Sequence, residues 1–136
     1  MPVIAYLNFN GNTEEVVRFY HEVFATEAPH IQYFKDMPGH EADPELGNRV
    51  LHARITVHGS PLFFSDSMPQ NPVTHGDGIT LAIVGDDADL LTQQFNLLAE
   101  KGRVLMPIQE TFWSKAYGIV QDQYGIQWQF SHEVSA

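Results

Sequence analysis

Residues 4–24, IAYLNFNGNTEEVVRFYHEVF, read as a strand running into an amphipathic helix. Residues 4–9 make the strand. Asn12 is placed to cap a helix over residues 12–24, with Glu14 and Glu15 in the first turn, where the helix dipole favours negative charge. Glu15, three residues after Asn12, has capping-box spacing. Val16, Phe19, Tyr20, Val23 and Phe24 recur at helical spacing and form one apolar face. Three strand-like runs follow, over residues 29–34, 50–57 and 62–65.

Residues 79–101, ITLAIVGDDADLLTQQFNLLAEK, open a second copy of the same order. Residues 79–84 read as a strand and 87–101 as a helix, capped by Asp86 or Asp87 and stopped by Gly102. Leu91, Phe95 and Leu98 form its buried stripe, and strands follow over 104–106, 116–120 and 126–130. Each half is therefore β-α-β-β-β, and the fold class is α+β with two tandem modules, 1–66 and 78–136, joined by a linker over 67–77 in one domain of 136 residues. Two such half-open sheets are expected to curl around a shared pocket. His58-Gly59-Ser60 and Asp122-Gln123-Tyr124-Gly125 read as hairpin turns. Counting from these turns sets Gly59 against Gly125 and Phe63 against Gln129. Counting from the helix caps sets Asn12 against Asp86 and Ala5 against Ile79. Residues 35–48, KDMPGHEADPELGN, form a long irregular loop, a candidate lid or partner-contacting segment or simply a surface loop.

A hydrophobic content of 43% with 18% charged residues describes a globular chain. No apolar run has the length of a membrane span, and the first residues lack a basic export signal, so the cytoplasm is the default expectation. The absence of cysteine excludes disulfides and thiolate sites. A formal charge of −10, with seven Lys plus Arg spread through the chain, argues against nucleic-acid and anionic-membrane partners.

The opening strand and helix resemble those of the vicinal-oxygen-chelate superfamily, which includes glyoxalase I, bleomycin-resistance proteins and extradiol dioxygenases. The closer resemblance is to its PhnB-like branch. It is carried by residues 7–20, by 52–69 (HARITVHGSPLFFSDSMP) and by 109–130 (QETFWSKAYGIVQDQYGIQWQF). The resemblance implies two βαβββ modules around a concave pocket, and a homodimer, with or without exchanged modules. In metal-using members it implies one divalent ion held by four side chains from the first and last strands of each module. Those places here are Ala5, Phe63, Ile79 and Gln129. Only Gln129 offers a donor atom, and a slip to Tyr6, Phe64, Thr80 and Trp128 improves nothing.

Among seven histidines, His21, His30, His40, His58, His75 and His132 fall on expected helix surface, loops, turns or the tail. His52 begins a strand and reads as a packed, hydrogen-bonded histidine, with general base or ligand as alternatives. Asp66 ends a strand beside Phe63 and Phe64, whose apolar walls would suit an acid or base; the other reading is a helix- or turn-capping aspartate bonded to Met68 or Gln70 N–H groups. Glu110 lies among Phe112, Trp113, Lys115 and Tyr117, a mixture that suits ligand recognition or a dimer interface. Gln127 and Gln129 alternate with Trp128 and share one sheet face. The expected ligand-binding set is Phe9, Ser65, Asp66, Phe112, Trp113, Tyr117, Gln127 and Gln129, with His52, Asp66 and Glu110 as catalytic candidates. No cofactor is expected, a divalent metal being the alternative. The expected function is a metal-free, small-molecule-binding homodimer. Its alternatives are an enzyme with no metal or with displaced ligands, and a dimeric scaffold whose cavity its own side chains fill.

Overall fold

A computed structural model of the chain describes residues 1–134. They form two compact units, 1–74 and 75–134, divided inside the expected linker. Each unit is one βαβββ module with a four-stranded sheet.

In the first unit, β1 (Tyr6–Phe9) leads into α1 (Thr13–Phe24), followed by β2 (His30–Tyr33), β3 (Val50–Val57) and β4 (Ser60–Asp66). The sheet order is β1-β4-β3-β2, with β1 parallel to β4 and the other pairs antiparallel. Burial alternates along the strands. Phe9, Ala53, Ile55, Val57, Leu62 and Phe64 are buried and share the α1 side with Val16, Val17, Tyr20, Val23 and Phe24. Phe64 is fully buried, and its transfer from water contributes about 1.5–3 kcal/mol. His58 (φ 49°) and Gly59 (φ 82°) supply the two positive φ angles that a tight hairpin turn between β3 and β4 requires.

The start of α1 departs from expectation. Asn12 holds the N-cap position, but its side chain makes no cap hydrogen bond. Asp66, from the end of β4, does that work. Its Oδ1 accepts from Gly11 N (2.9 Å), Thr13 N (3.0 Å) and Thr13 Oγ1 (2.6 Å), and its Oδ2 accepts from Val50 N (2.8 Å). One carboxylate thus joins β4, β3 and the amide end of α1, where negative charge is favoured.

The long loop after β2 is hydrogen-bonded within itself. It opens with a 3-10 turn (Phe34–Asp36) and closes where Phe34 N donates to Arg49 O and Lys35 N to Gly47 O, both 3.0 Å. Asp43 Oδ1 accepts from the Glu45 and Leu46 amides. The Leu46 and Glu45 N–H groups, with help from His40, hold the Asp43 carboxyl below its ordinary pKa.

The second unit repeats the order: β5 (Thr80–Gly85), α2 (Ala88–Ala99), β6 (Arg103–Gln109), β7 (Tyr117–Gln121) and β8 (Gln127–His132), with sheet order β5-β8-β7-β6. Leu91, Gln94, Phe95 and Leu98 of α2 are buried, as are Ile83, Val120, Trp128 and Phe130 of the sheet. Asp87 is the N-cap, its side chain accepting from Leu90 N at 3.1 Å. Asp122 secures the β7–β8 turn, accepting from Tyr124 N, Ile126 N and Trp128 Nε1. Gly102 is not a helix stop in the expected sense. α2 ends at Ala99, and a Cβ at Gly102 would lie 2.2 Å from Gln121 O, so close backbone approach excludes a side chain. β6 runs longer than expected and carries Pro107, which an edge strand tolerates. β8 extends to His132, which is buried at 7% exposure instead of lying in a solvated tail.

Asp66→Ala leaves buried donors at Thr13 and Val50, and the part-buried Gly11 amide, without this acceptor. It is expected to cost about 3 kcal/mol or more in urea unfolding. Ala25 closes α1 in the left-handed region (φ 50°, ψ 48°). Ala25→Gly removes the Cβ penalty and is expected to stabilise by about 0.5–1 kcal/mol in the same assay.

Candidate functional site

One helix covers one face of each sheet, and period-two alternation assigns the remaining side chains to the other, open face. On the first sheet the strand register builds a row straight across all four strands. Tyr6 stands opposite Phe63, Phe63 opposite Arg54, and Arg54 opposite His30. A neighbouring row holds Asn8 opposite Ser65, and His52 opposite Gln32. Tyr6, His52 and Phe63 form a ring cluster. Tyr6 and His52 centroids lie 5.7 Å apart, Tyr6 and Phe63 5.9 Å, and His52 and Phe63 4.9 Å. Tyr6 Oη and His52 Nδ1 share a 2.9 Å hydrogen bond whose direction follows the imidazole tautomer. Burial, together with the nearby His30 and Arg54 charges, lowers the His52 pKa and favours its neutral form.

On the second sheet the open face carries Tyr117, Ile119 and Gln121 of β7, Gln127 and Gln129 of β8, and Ala82 of β5. Tyr117 Oη donates to Gln129 Oε1 at 2.8 Å, which orients that amide. Trp113 packs edge-on against Tyr117 at 5.4 Å, and Phe112 against Trp113 at 4.7 Å. Phe112 is 98% exposed. Residues of this loop, from Glu110 to Lys115, line a shallow cleft of about 340 Å³ with His132, Glu133 and Val134.

The expected site residues divide. His52 and Ser65 lie on the first open face; Tyr117, Gln127 and Gln129 lie on the second, with Trp113 beside Tyr117. Ser65 Oγ already donates to Leu51 O at 3.0 Å. Phe9, at 2% exposure, and Asp66, at 4%, belong to the scaffold instead. Phe9 packs on the helix side of β1. Asp66 has its acceptors taken by Gly11, Thr13 and Val50, not by the Met68 or Gln70 amides. His52 and Asp66 therefore occupy opposite faces of one sheet and do not form an acid–base pair. Glu110 is an exposed loop residue at the cleft. Sequence reading passed over Tyr6, Arg54 and Gln32. The signal was present in the alternation of 50–57, but the partners on β1 and β2 are set only by register.

The metal positions also shift. β1 and β5 begin at Tyr6 and Thr80, one residue after Ala5 and Ile79. Phe63 pairs with Tyr6 and Gln129 with Ala82, so the strand register sets Tyr6 against Ala82. The cap count slipped because the cap is Asp87 and the second strand–helix connection is one residue shorter. The open-face side chains of the first and last strands are then Tyr6, Asn8, Phe63 and Ser65 in one module and Thr80, Ala82, Gln127 and Gln129 in the other. Neither set contains an imidazole or a carboxylate, so neither fits the superfamily's divalent ion. Among the described residues, no group of three His, Asp or Glu side chains is placed to hold a metal.

The His52 ring is expected to titrate by NMR below the ordinary histidine value of about 6.5. Its depressed pKa contributes stability that is complete above that ordinary value and is lost as pH falls through the folded-state pKa. The stability difference between wild type and His52→Gln, measured by urea unfolding, should therefore shrink on acidification through that window.

With the geometry established, comparison with known proteins places the chain. The family model described as 3-demethylubiquinone-9 3-methyltransferase matches residues 2–131. The protein PA1353 from Pseudomonas aeruginosa is 30% identical, with a TM-score of 0.85 over 98% of both chains. A putative 3-demethylubiquinone-9 3-methyltransferase, PhnB protein, from Bacillus cereus is 26% identical, with a TM-score of 0.79 over 98% of this chain and 100% of that one. A glyoxylase/bleomycin resistance protein/dioxygenase domain from Frankia sp. EAN1pec shares the fold at 13% identity, with a TM-score of 0.68 over 98% of each chain. The chain belongs to the family described as 3-demethylubiquinone-9 3-methyltransferase, is similar to a PhnB protein, and has the glyoxalase/bleomycin-resistance/dioxygenase fold.

Proposed function

We propose that the chain is a small-molecule-binding protein that works without a metal, as a homodimer, and holds a partly aromatic or polar organic molecule on an open sheet face. The observation that carries this reading is the chemistry of the two open faces. Where metal-using relatives need imidazole and carboxylate, they offer aromatic rings, hydroxyls and amides: Tyr6, Phe63 and Asn8 on one, Tyr117, Gln127 and Gln129 on the other. Rings give contact area at little entropic cost, and oriented amides give direction. The methyltransferase activity in the family's description lies outside this reading. No glycine-rich turn after a strand is present in the sequence to cradle a donor cofactor. Exposed Val104, Leu105 and Met106 on the edge strand β6 support the dimer, since such a row invites a partner.

A second reading is an enzyme in which neutral His52 is the base. Its support is the depressed His52 pKa and the Tyr6 contact.

A thermal-shift screen of metabolites and antibiotics, repeated with Ni²⁺, Zn²⁺, Mn²⁺ and Fe²⁺, separates these readings. A ligand that binds only the folded state at a hundred times its Kd stabilises it by about 2.7 kcal/mol and raises the midpoint. A hit without metal that also changes the fluorescence of the exposed Trp113 is the expected result, with a dimeric mass in sedimentation. Stoichiometric metal binding lost in His52→Ala would overturn the metal-free reading. No ligand in a broad screen would leave a scaffold.

A further inference from the structure

The row across the first sheet has a charge character opposite to that of the whole chain. The sequence carries 17 Asp plus Glu against seven Lys plus Arg. Yet the open face of this sheet, from β1 through β4 and β3 to β2, presents no carboxylate. It presents Arg54 directly opposite His30, with His52 two residues along β3 on the same side. The Arg54 guanidinium is exposed and makes no hydrogen bond or ion pair with any described residue. Phe63, the other cross-strand neighbour of Arg54, joins Tyr6 in the row and supplies an aromatic floor.

We propose that this face is the recognition site for a small organic anion, with Arg54 and His30 holding the acidic group and Phe63 with Tyr6 holding the apolar or aromatic body. The assignment rests on the small-molecule-binding reading and names its ligand class. A guanidinium presents paired N–H donors that match a carboxylate or phosphate edge, and such charge-assisted bonds are the strong ones. Three cation-capable groups on one face repel one another, and a bound anion removes that repulsion. The lowered His52 pKa, to which His30 and Arg54 contribute, is a sign of the same field.

The test is an NMR titration of the full chain at neutral pH and low salt with four probes of similar shape: benzoate, phenyl phosphate, benzamide and benzylamine. Benzoate and phenyl phosphate are expected to move β2, β3 and β4 amides saturably, about tenfold more tightly than benzamide, with benzylamine weakest. Which anion binds more tightly then separates carboxylate from phosphate ligands. Arg54→Gln is expected to weaken the two anions by about tenfold or more. It should leave benzamide binding near its wild-type value, because a neutral amide gains no ion pair from the guanidinium, and the dispersion of the amide spectrum checks that the fold is kept. Equal binding of benzamide and benzoate, or unchanged anion binding in Arg54→Gln, would overturn the anion site while leaving the small-molecule reading standing. Anion shifts confined to the loop around Lys115 would overturn it as well. Absence of saturable shifts with either anion also defeats it; the broader thermal screen then judges the parent reading separately.

Discussion

Each module owns four strands and a single helix, and much of the rest follows from that shortage. A helix can bury one face of a sheet. Strand residues alternate between faces, so every second side chain is committed to the core and its neighbours are released. In the first module the committed set is Phe9, Ala53, Ile55, Leu62 and Phe64, packed with Tyr20 and Phe24. The released set is Tyr6, His52, Arg54, Phe63 and Ser65. Selection for packing acts on the first set. The second is free to carry recognition, and there the polar and aromatic groups gather.

The two modules solve the same mechanical problem with different chemistry. Each must tie the end of its last strand to the connection that enters its helix. The first uses a carboxylate, Asp66, which collects donors from the helix start and from β3. The second ends in His132, whose Nε2 lies 3.1 Å from Asp86 O in the corresponding connection. Its buried carboxylate sits instead in the hairpin, where Asp122 gathers two amides and the Trp128 indole. The element order repeats between the modules while the polar clasps differ. That explains why one buried aspartate looked like a catalytic candidate in isolation: burial and apolar neighbours are shared by a general acid and a structural clasp, and only the donors around the oxygens distinguish them.

The open faces differ in the same way. The second is amide-rich and directional, with Gln129 held by Tyr117 and backed by Trp113. The first carries Arg54 beside two histidines and no carboxylate, set in an acidic chain. A metal ion would need carboxylate or imidazole donors on the terminal strands, which neither face supplies. What the faces offer instead is shape, amide direction and the Arg54 charge, and the proposed binding of an organic molecule draws on those.

Sequence alone determined the order of elements, because helical and two-residue periodicities are local and the turns carry their own chemistry. It determined most of the buried stripes of both helices, the hairpin at Gly59 and the missing thiols. It also placed Gln127 and Gln129 on one face, since alternation within a strand needs no partner. The tertiary structure decided everything that depends on register between distant strands. It put Tyr6 beside His52 across 46 residues of chain, aligned Tyr6, Phe63, Arg54 and His30, withdrew Phe9 and Asp66 into the scaffold, and drew His132 into β8. Register is a property of pairs, fixed by loop lengths and by the core as a whole. The cap at Asp87 and a strand–helix connection one residue shorter together displaced the expected metal positions, and no periodicity within either strand records that difference.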